Sequence, residues 1–448
     1  MSTLRAPSST TLPSDVGRSL GAWVKGMVAG DAGLLEDLDR ALPEPWSGLG
    51  TSGVTAIQDA PHPTRIALGD LARLRAAHRG EGSLEDGWFR PAHYHALLQT
   101  AVDSSNFPRL VVEAARCWSL RGLPGAATLA AAAVEVVESL DPGDFGADRR
   151  RRLLALALAH RADDLRAGGQ HLEAERMLAS AKAHLRDGAA DDGGGAGEIA
   201  AAVLEVEAAA ARWAGHAARS EELLESALRR VDDGSIPGRR EELYLALAIG
   251  RFDPEGLGEA VQWLRRAHRG LVSTPFGWLR HEVLHRLVIA EVNLGNTESA
   301  RPLFHRAAEL QRFASPAQRV EQQWMAGRCA SIESRAAAGD RRPQLVEEAE
   351  ALLRRSVEDL QQLGYWRDGL EALGDLLDLY VEEDRQEAEA EEIRRAFLEL
   401  MRCPEAQRRS AAWIAQVAED LRRRGLPLEP EAELMAAVED ARRSVTVH

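Results

Sequence analysis

The segment at 278–310, WLRHEVLHRLVIAEVNLGNTESARPLFHRAAEL, reads as two antiparallel amphipathic helices about a glycine-centred turn. Leu284, Leu287 and Val288 share one helical face. Residues 293–296 break the pattern around Gly295, and Ala300, Phe304 and Ala307 resume it at i, i+4, i+7 spacing. Each helix carries an apolar stripe that has to be buried on a neighbour, so a chain built of such hairpins is constrained to stack them.

The same pattern recurs on both sides of this segment. Val111, Ala115 and Trp118 precede Gly122 and then Ala127, Ala131 and Val134. Leu158, Ala162 and Leu165 precede Gly169 and then Ala174, Leu178 and Ala181, and Leu204, Ala208 and Ala211 precede Gly215 and then Ser220, Leu224 and Ala227. Tyr244, Leu247 and Ala248 lead to Ala260, Leu264 and Ala267, and beyond the central copy Trp324, Gly327 and Ile332 lead to Ala349, Leu353 and Ser356. The residues opening the second helices, Ala127, Ala174, Ser220, Ala260 and Ala300, follow at intervals of 47, 46, 40 and 40.

The order Ala300, Phe304, Ala307 matches the A-x3-F part of the tetratricopeptide pattern, and Leu370, Leu373, Gly374 and Leu377 fit its W-x2-L-G-x2-Y part better than any other copy. The chain thus resembles the tetratricopeptide-repeat superfamily over residues 108–400. Its units are longer than the roughly 34 residues of the standard repeat, which makes it most similar to the long-unit sensor and scaffold arms of bacterial regulators. The resemblance implies an all-α fold, a right-handed α-solenoid of about seven hairpins.

Composition agrees with helices throughout, since the chain is rich in Ala, Leu, Glu and Arg with 5% aromatics. The net charge of −15 over 448 residues opposes direct binding to nucleic acid. No run of about 18 apolar residues occurs, which argues against a membrane span, and residues 1–15 lack an apolar signal region. Cys117, Cys329 and Cys403 lie far apart without paired or metal-type spacing. These features together predict a cytoplasmic protein.

Four regions are expected: a disordered tail at 1–15, an N-terminal helical module at 16–105, the solenoid at 106–400 and a C-terminal helical cap at 401–448. Within the N-terminal module, helices are expected near 16–27, 34–42 and 64–78, and Pro91 can occupy the first turn of another that runs to Thr100. No basic recognition helix or zinc-type Cys/His spacing occurs before Pro108. Residues 190–198, ADDGGGAGE, read as a flexible connection.

Chemistry-bearing motifs are few. His281, Glu282 and His285 form a literal H-E-x-x-H, the spacing that sets two imidazoles on one helical face beside a general base in zinc hydrolases. The extended motif fails, because Val288 stands at its glycine and Glu291 at its last histidine. The apolar register of the hairpin already accounts for Leu284, so incidental histidines on a repeat helix are the simpler reading. His93 and His95 point to different faces of a helix. Gly193, Gly194 and Gly195 follow no strand and make no phosphate loop. The expectation is therefore a chain that is not an enzyme, with no catalytic residue, no metal and no cofactor.

The stripe on each first helix that the hairpin leaves unused is more informative. In tetratricopeptide proteins it lines a concave groove. Here the resemblance places Arg109 and Arg116 in that stripe, then Arg212 and Trp213, then Glu242, Ile249 and Phe252, and then Glu282, His285, Ile289, Val292 and Asn293. Gln322 and Ile332 follow, and finally Asp368, Glu371, Asp375 and Asp378. The groove would run from basic through apolar to acidic. It suits another protein or a peptide segment as partner, held by an adaptor, scaffold or regulatory subunit. Two alternatives are a zinc-dependent hydrolase using the HEVLH segment and a peptide-responsive regulator acting through a separate DNA-binding or sigma-type partner.

Overall fold

The computed structural model describes residues 90–383, apart from 103, 121–125, 187–194, 232–235, 254 and 364. The expected tail, the helices near 16–27, 34–42 and 64–78, the end of the expected solenoid beyond residue 383 and the C-terminal cap lie outside the described residues. The described part is all helical: α1 (Pro91–Val102), α2 (Phe107–Leu120), α3 (Ala126–Ser139), α4 (Pro142–Phe145), α5 (Ala147–Ala167), α6 (His171–Arg186), α7 (Gly195–Trp213), α8 (Ala217–Arg230), α9 (Arg239–Gly250), α10 (Leu257–Leu271), α11 (Gly277–Asn293), α12 (Thr297–Glu309), α13 (Pro316–Ala336), α14 (Arg341–Gln362) and α15 (Trp366–Glu382). None of these helices is long and apolar enough to cross a membrane.

The repeat is visible atom by atom in its turns. After α5, α7 and α11 the chain reverses through Gly169, Gly215 and Gly295, with φ of 79°, 80° and 75°, a conformation that costs glycine little. In each turn the N–H three residues past the helix end donates back five positions: Gln170 to Leu165 at 2.8 Å, His216 to Ala211 at 2.9 Å and Asn296 to Glu291 at 2.8 Å. The glycine N–H donates back three, to Arg166, Arg212 and Val292. This is the Schellman closure, which satisfies carbonyls the helix leaves open. Small residues follow on the second helices where backbones approach, and Ala227, Ala260, Ala300 and Ala349 are all fully buried. Elsewhere a capping box starts α13, with Ser315 Oγ accepting from the Gln318 N–H at 3.2 Å and Gln318 Oε1 from the Ser315 N–H at 3.0 Å.

The described chain forms two compact units, residues 90–290 and 291–383. In the first, α2/α3, α5/α6, α7/α8 and α9/α10 are hairpins, and each stacks on the next. Leu110, Leu129, Leu156 and Val203 belong to one core; Leu223, Leu243 and Leu247 belong to a second, beside stacked Tyr244 and Trp263 rings 5.5 Å apart. In the second unit α13 and α14 pair and α15 packs on α14. Gly327 makes that pairing close, because a Cβ there would stand 3.0 Å from Leu352 and Leu353 side-chain atoms.

Two expectations change. Residues 190–198 are not a free connection throughout: α7 begins at Gly195, Glu198 is buried, and a Cβ at Gly197 would meet the Arg230 carbonyl oxygen at 2.8 Å. Glycine is present there for the close approach as much as for flexibility. The separation of α11 into a core face and an open face also fails, since His285 and Val292 are as buried as Leu284 and Val288. Periodicity reports the most apolar contact of a helix. It is silent on a second contact made through histidine or a small residue.

Candidate functional site

The first helices of the first unit bring a set of charges into its interior. α2 contributes Glu113 and Arg116, α5 His160 and Asp163, α7 Glu198 and Glu205, and α9 Arg239 and Glu242. Most recur at i, i+3 or i, i+7, so each helix offers them on one face. A further residue comes from outside the hairpins. Arg90, immediately before α1, is 7% exposed; its Nε donates to Glu242 and its Nη2 to Glu205 Oε1 at 3.2 Å.

Arg239 holds the centre. Its Nη1 donates to Glu242 Oε2 at 2.6 Å, its Nη2 to Glu205 Oε2 at 2.8 Å and its Nε to Glu198 Oε1 at 3.2 Å. Arg116 pairs with Asp163 and stands 3.8 Å from Glu205, and Asp163 in turn pairs with Arg166. The result is an ionic ladder of alternating sign, from Glu198 through Arg239, Glu205, Arg116 and Asp163 to Arg166. The guanidinium fork suits it, because one arginine can bridge carboxylates from different helices.

Burial and pairing compete at each group. Burial raises the Glu205 carboxyl, but Arg239, Arg90 and Arg116 outweigh it and hold the group well below the usual carboxylate range. Glu113 is likewise held down to about 2 against burial by His160. Glu198 goes the other way, because burial outweighs Arg239. Burial lowers His160, and burial with the charge of Arg90 takes Arg116 down to about 10, where it stays cationic at neutral pH. The space enclosed by Arg109, Glu113, His160, Glu198 and Arg239 is about 20 Å³, room for one water molecule. Arg109 Nε, Glu198 Oε2 and both His160 ring nitrogens have no hydrogen-bond partner among the described residues.

α1 closes this face with the chain's own residues. Tyr94 meets the Phe276 ring edge-on at 5.5 Å, and Pro91 and Phe276 crowd Gly238, whose φ of 82° and lack of a side chain admit them. Pro91 at the first helical position loses no hydrogen bond there, so the chain can turn directly from Arg90 into the helix.

Of the residues expected in a groove, Arg116 and Glu242 belong to the ladder and Arg109 lines its small cavity. Arg212 and Trp213 lie at the turn end of α7, and Ile249 and Phe252 are half-buried at the end of α9. Glu282 and Ile289 are half-buried, and the Glu282 carboxylate accepts from Arg286 at 3.1 Å. The His281 and His285 rings stack with centroids 5.9 Å apart. No group of three or more His, Cys, Asp or Glu is placed to hold a metal among the described residues.

In the second unit Asn293 is exposed and accepts from Arg328 at 2.6 Å, while Gln322 and Ile332 are half-buried. Asp368, Glu371, Asp375 and Asp378 are half-buried on α15. Asp375 is engaged internally: it accepts from the Trp324 indole at 2.8 Å and lies 3.5 Å from Arg328. Sequence reasoning left out Arg90, Glu113, His160, Asp163, Glu198 and Arg239. The i, i+3 pairs Glu113/Arg116, His160/Asp163 and Arg239/Glu242 were the available signal, but such pairs on a surface helix look alike.

No family model and no curated protein matches the chain. Solved structures do. A Rap protein complexed with competence and sporulation factor is 14% identical over 84% of this chain and 100% of that one, with a TM-score of 0.41. Aspartyl phosphate phosphatase F from Bacillus subtilis is 12% identical over 98% and 96%, also with a TM-score of 0.41. This chain is an all-α helical-repeat protein. Its own paired helices and repeated Schellman turns carry that statement.

Proposed function

We propose that this helical-repeat chain is a non-enzymatic scaffold, adaptor or regulatory subunit whose first-helix face receives a segment of another protein or a peptide. The observation that supports it is Arg90. Five buried or nearly buried carboxylates, Glu113, Asp163, Glu198, Glu205 and Glu242, come from four successive first helices, and a guanidinium delivered from outside the hairpins sits among them. Buried ion clusters stabilise less than apolar packing of the same volume, so their use is better understood as selection of a partner than as stabilisation. Segment 90–94 then acts as the resident occupant, and an incoming segment with an arginine beside an aromatic competes for its place.

The test uses a fluorescein-labelled peptide of residues 86–98, DGWFRPAHYHALL, with the full chain and its Arg90→Ala and Tyr94→Ala variants. The tethered segment competes at an effective concentration of the order of millimolar. Both variants should therefore bind the peptide at least tenfold more tightly than the native chain, and a peptide with alanine for arginine should bind weakly to all three. If folded variants, by circular dichroism, bind the two peptides equally or not at all, the proposal is wrong.

A further inference from the structure

The ladder ends at the surface, and its outer end carries two cations and an exposed tryptophan. Arg166 is the last rung, and its guanidinium lies 5.7 Å from the centroid of the Trp213 ring. Trp213 is 65% exposed and leans on the His171 ring at 6.2 Å; Leu172 beside it is 76% exposed. Under this rim is a cleft of about 280 Å³ whose floor is small and apolar, formed by Ala162, Ala174, Val206 and Ala210. Across the end of α7 is a second cleft of about 230 Å³, into which Arg212 faces.

Arg212 has no carboxylate partner among the described residues. Among the described residues its side chain makes no hydrogen bond or ion pair, although burial and the nearby charge of Arg166 both disfavour its cationic form. The acids that share its cleft are committed elsewhere. Glu221 accepts from Arg251 at 2.5 Å, and Asp253 accepts from the backbone N–H groups of Glu255 and Gly256 at 3.1 and 2.7 Å. A half-buried guanidinium beside a second one, next to an exposed indole and an apolar cleft, favours an anionic ligand that carries an apolar group. Glu175 lines the wall of the Trp213 cleft, where it would repel a ligand's carboxylate.

We infer that the turn edge formed by α5, α6 and α7 is a second binding surface, which takes a short acidic segment of a partner protein with an aliphatic or aromatic anchor one or two residues from its carboxylate. The anchor enters the alanine-floored cleft against Trp213, and the carboxylate pairs with Arg212 across the end of α7. Trp and Arg together at a rim over a small apolar pocket are the usual composition of an interface hot spot. The surface is separate from the face that Arg90 fills, so its success or failure is independent of that reading.

The probe is a set of fluorescein-labelled hexapeptides, Gly-Ser-Φ-Asp-Asp-Gly with Φ as Leu, Phe or Trp, and their Asn-Asn counterparts, titrated into the full-length chain. At least one acidic peptide should bind saturably. Arg212→Gln and Trp213→Ala should each weaken it at least tenfold, the Asn-Asn version should bind at least tenfold less tightly, and Arg355→Gln, an exposed arginine on α14, should leave it unchanged. Both substituted side chains are at least partly exposed, so both variants should melt like the native chain. Three results would overturn the inference: no saturable binding at millimolar peptide, equal binding by native and variant proteins, or competition by acetate as effective as by the unlabelled peptide. A concentration-dependent dimer abolished by Trp213→Ala would also overturn it, by making a second copy the occupant.

Discussion

Replacing Arg239 by methionine keeps most of the side-chain stem and removes the cation from the centre of the ladder. Arg239 is 3% exposed and donates to Glu198, Glu205 and Glu242 at 3.2, 2.8 and 2.6 Å. Arg90 and Arg116 still neutralise Glu242 and Glu205 in part, so the main uncompensated charge is Glu198. Removing one partner of a buried pair costs about 3–5 kcal/mol, a large share of a total stability of about 5–15 kcal/mol. The sign with pH is fixed: losing the cation raises the carboxyl pKa values in the folded state, so the folded variant takes up protons more readily than the unfolded chain. The penalty is therefore largest near pH 8 and shrinks toward pH 5.

The assay is urea unfolding by far-ultraviolet circular dichroism at both pH values. Arg251→Met serves as the control, because the Arg251 side chain is more than a third exposed and its pair with Glu221 should contribute less than about 1 kcal/mol. Adding Glu198→Leu to Arg239→Met should restore at least half of the loss. An Arg239→Met penalty no larger than that of Arg251→Met, or one that does not fall with pH, would refute the view that the buried carboxylates depend on Arg239 for their neutralisation.

Ala174→Glu and Ala300→Glu should each destabilise by several kcal/mol, because both alanines are buried at the start of a second helix; a variant that melts like the native chain would place the register elsewhere. Gly238→Ala should lower the melting temperature, since the residue has φ of 82° and its Cβ would fall 2.6 Å from the Phe276 ring, and tightened binding of the 86–98 peptide would accompany the unseating of α1. The native chain should lose stability as pH falls below the unfolded histidine value, because burial lowers His160 in the folded state and the unfolded chain binds that proton first. His160→Asn should flatten this part of the melting profile, while the loss from Glu113 and Glu205 begins as pH falls into the ordinary carboxylate range and continues below it. Asp375→Ala should cost about 1–3 kcal/mol by leaving the Trp324 indole without its acceptor.

The sequence by itself determined the all-α class and the hairpin unit. Those rest on local rules: helical periodicity at Leu284, Leu287 and Val288, left-handed glycines at Gly169, Gly215 and Gly295, and small residues such as Ala174 and Ala300 at close approaches. Each rule acts within a few residues, so a single chain displays it. Which charges meet was decided by tertiary structure alone. Glu198 lies in a glycine-rich stretch that reads as a linker, and Arg90 precedes the first recognised repeat, yet stacking brings them to one site through Arg239 and Glu242 at sequence separations of 41 and 152. Arg212 and Trp213 are neighbours in sequence, but the end of α7 sets them on two clefts, away from the Glu242 with which the periodicity grouped them. Periodicity gives the angle of a side chain about its own helix; the distance between side chains on different helices depends on how successive hairpins stack, and packing across the whole unit sets that.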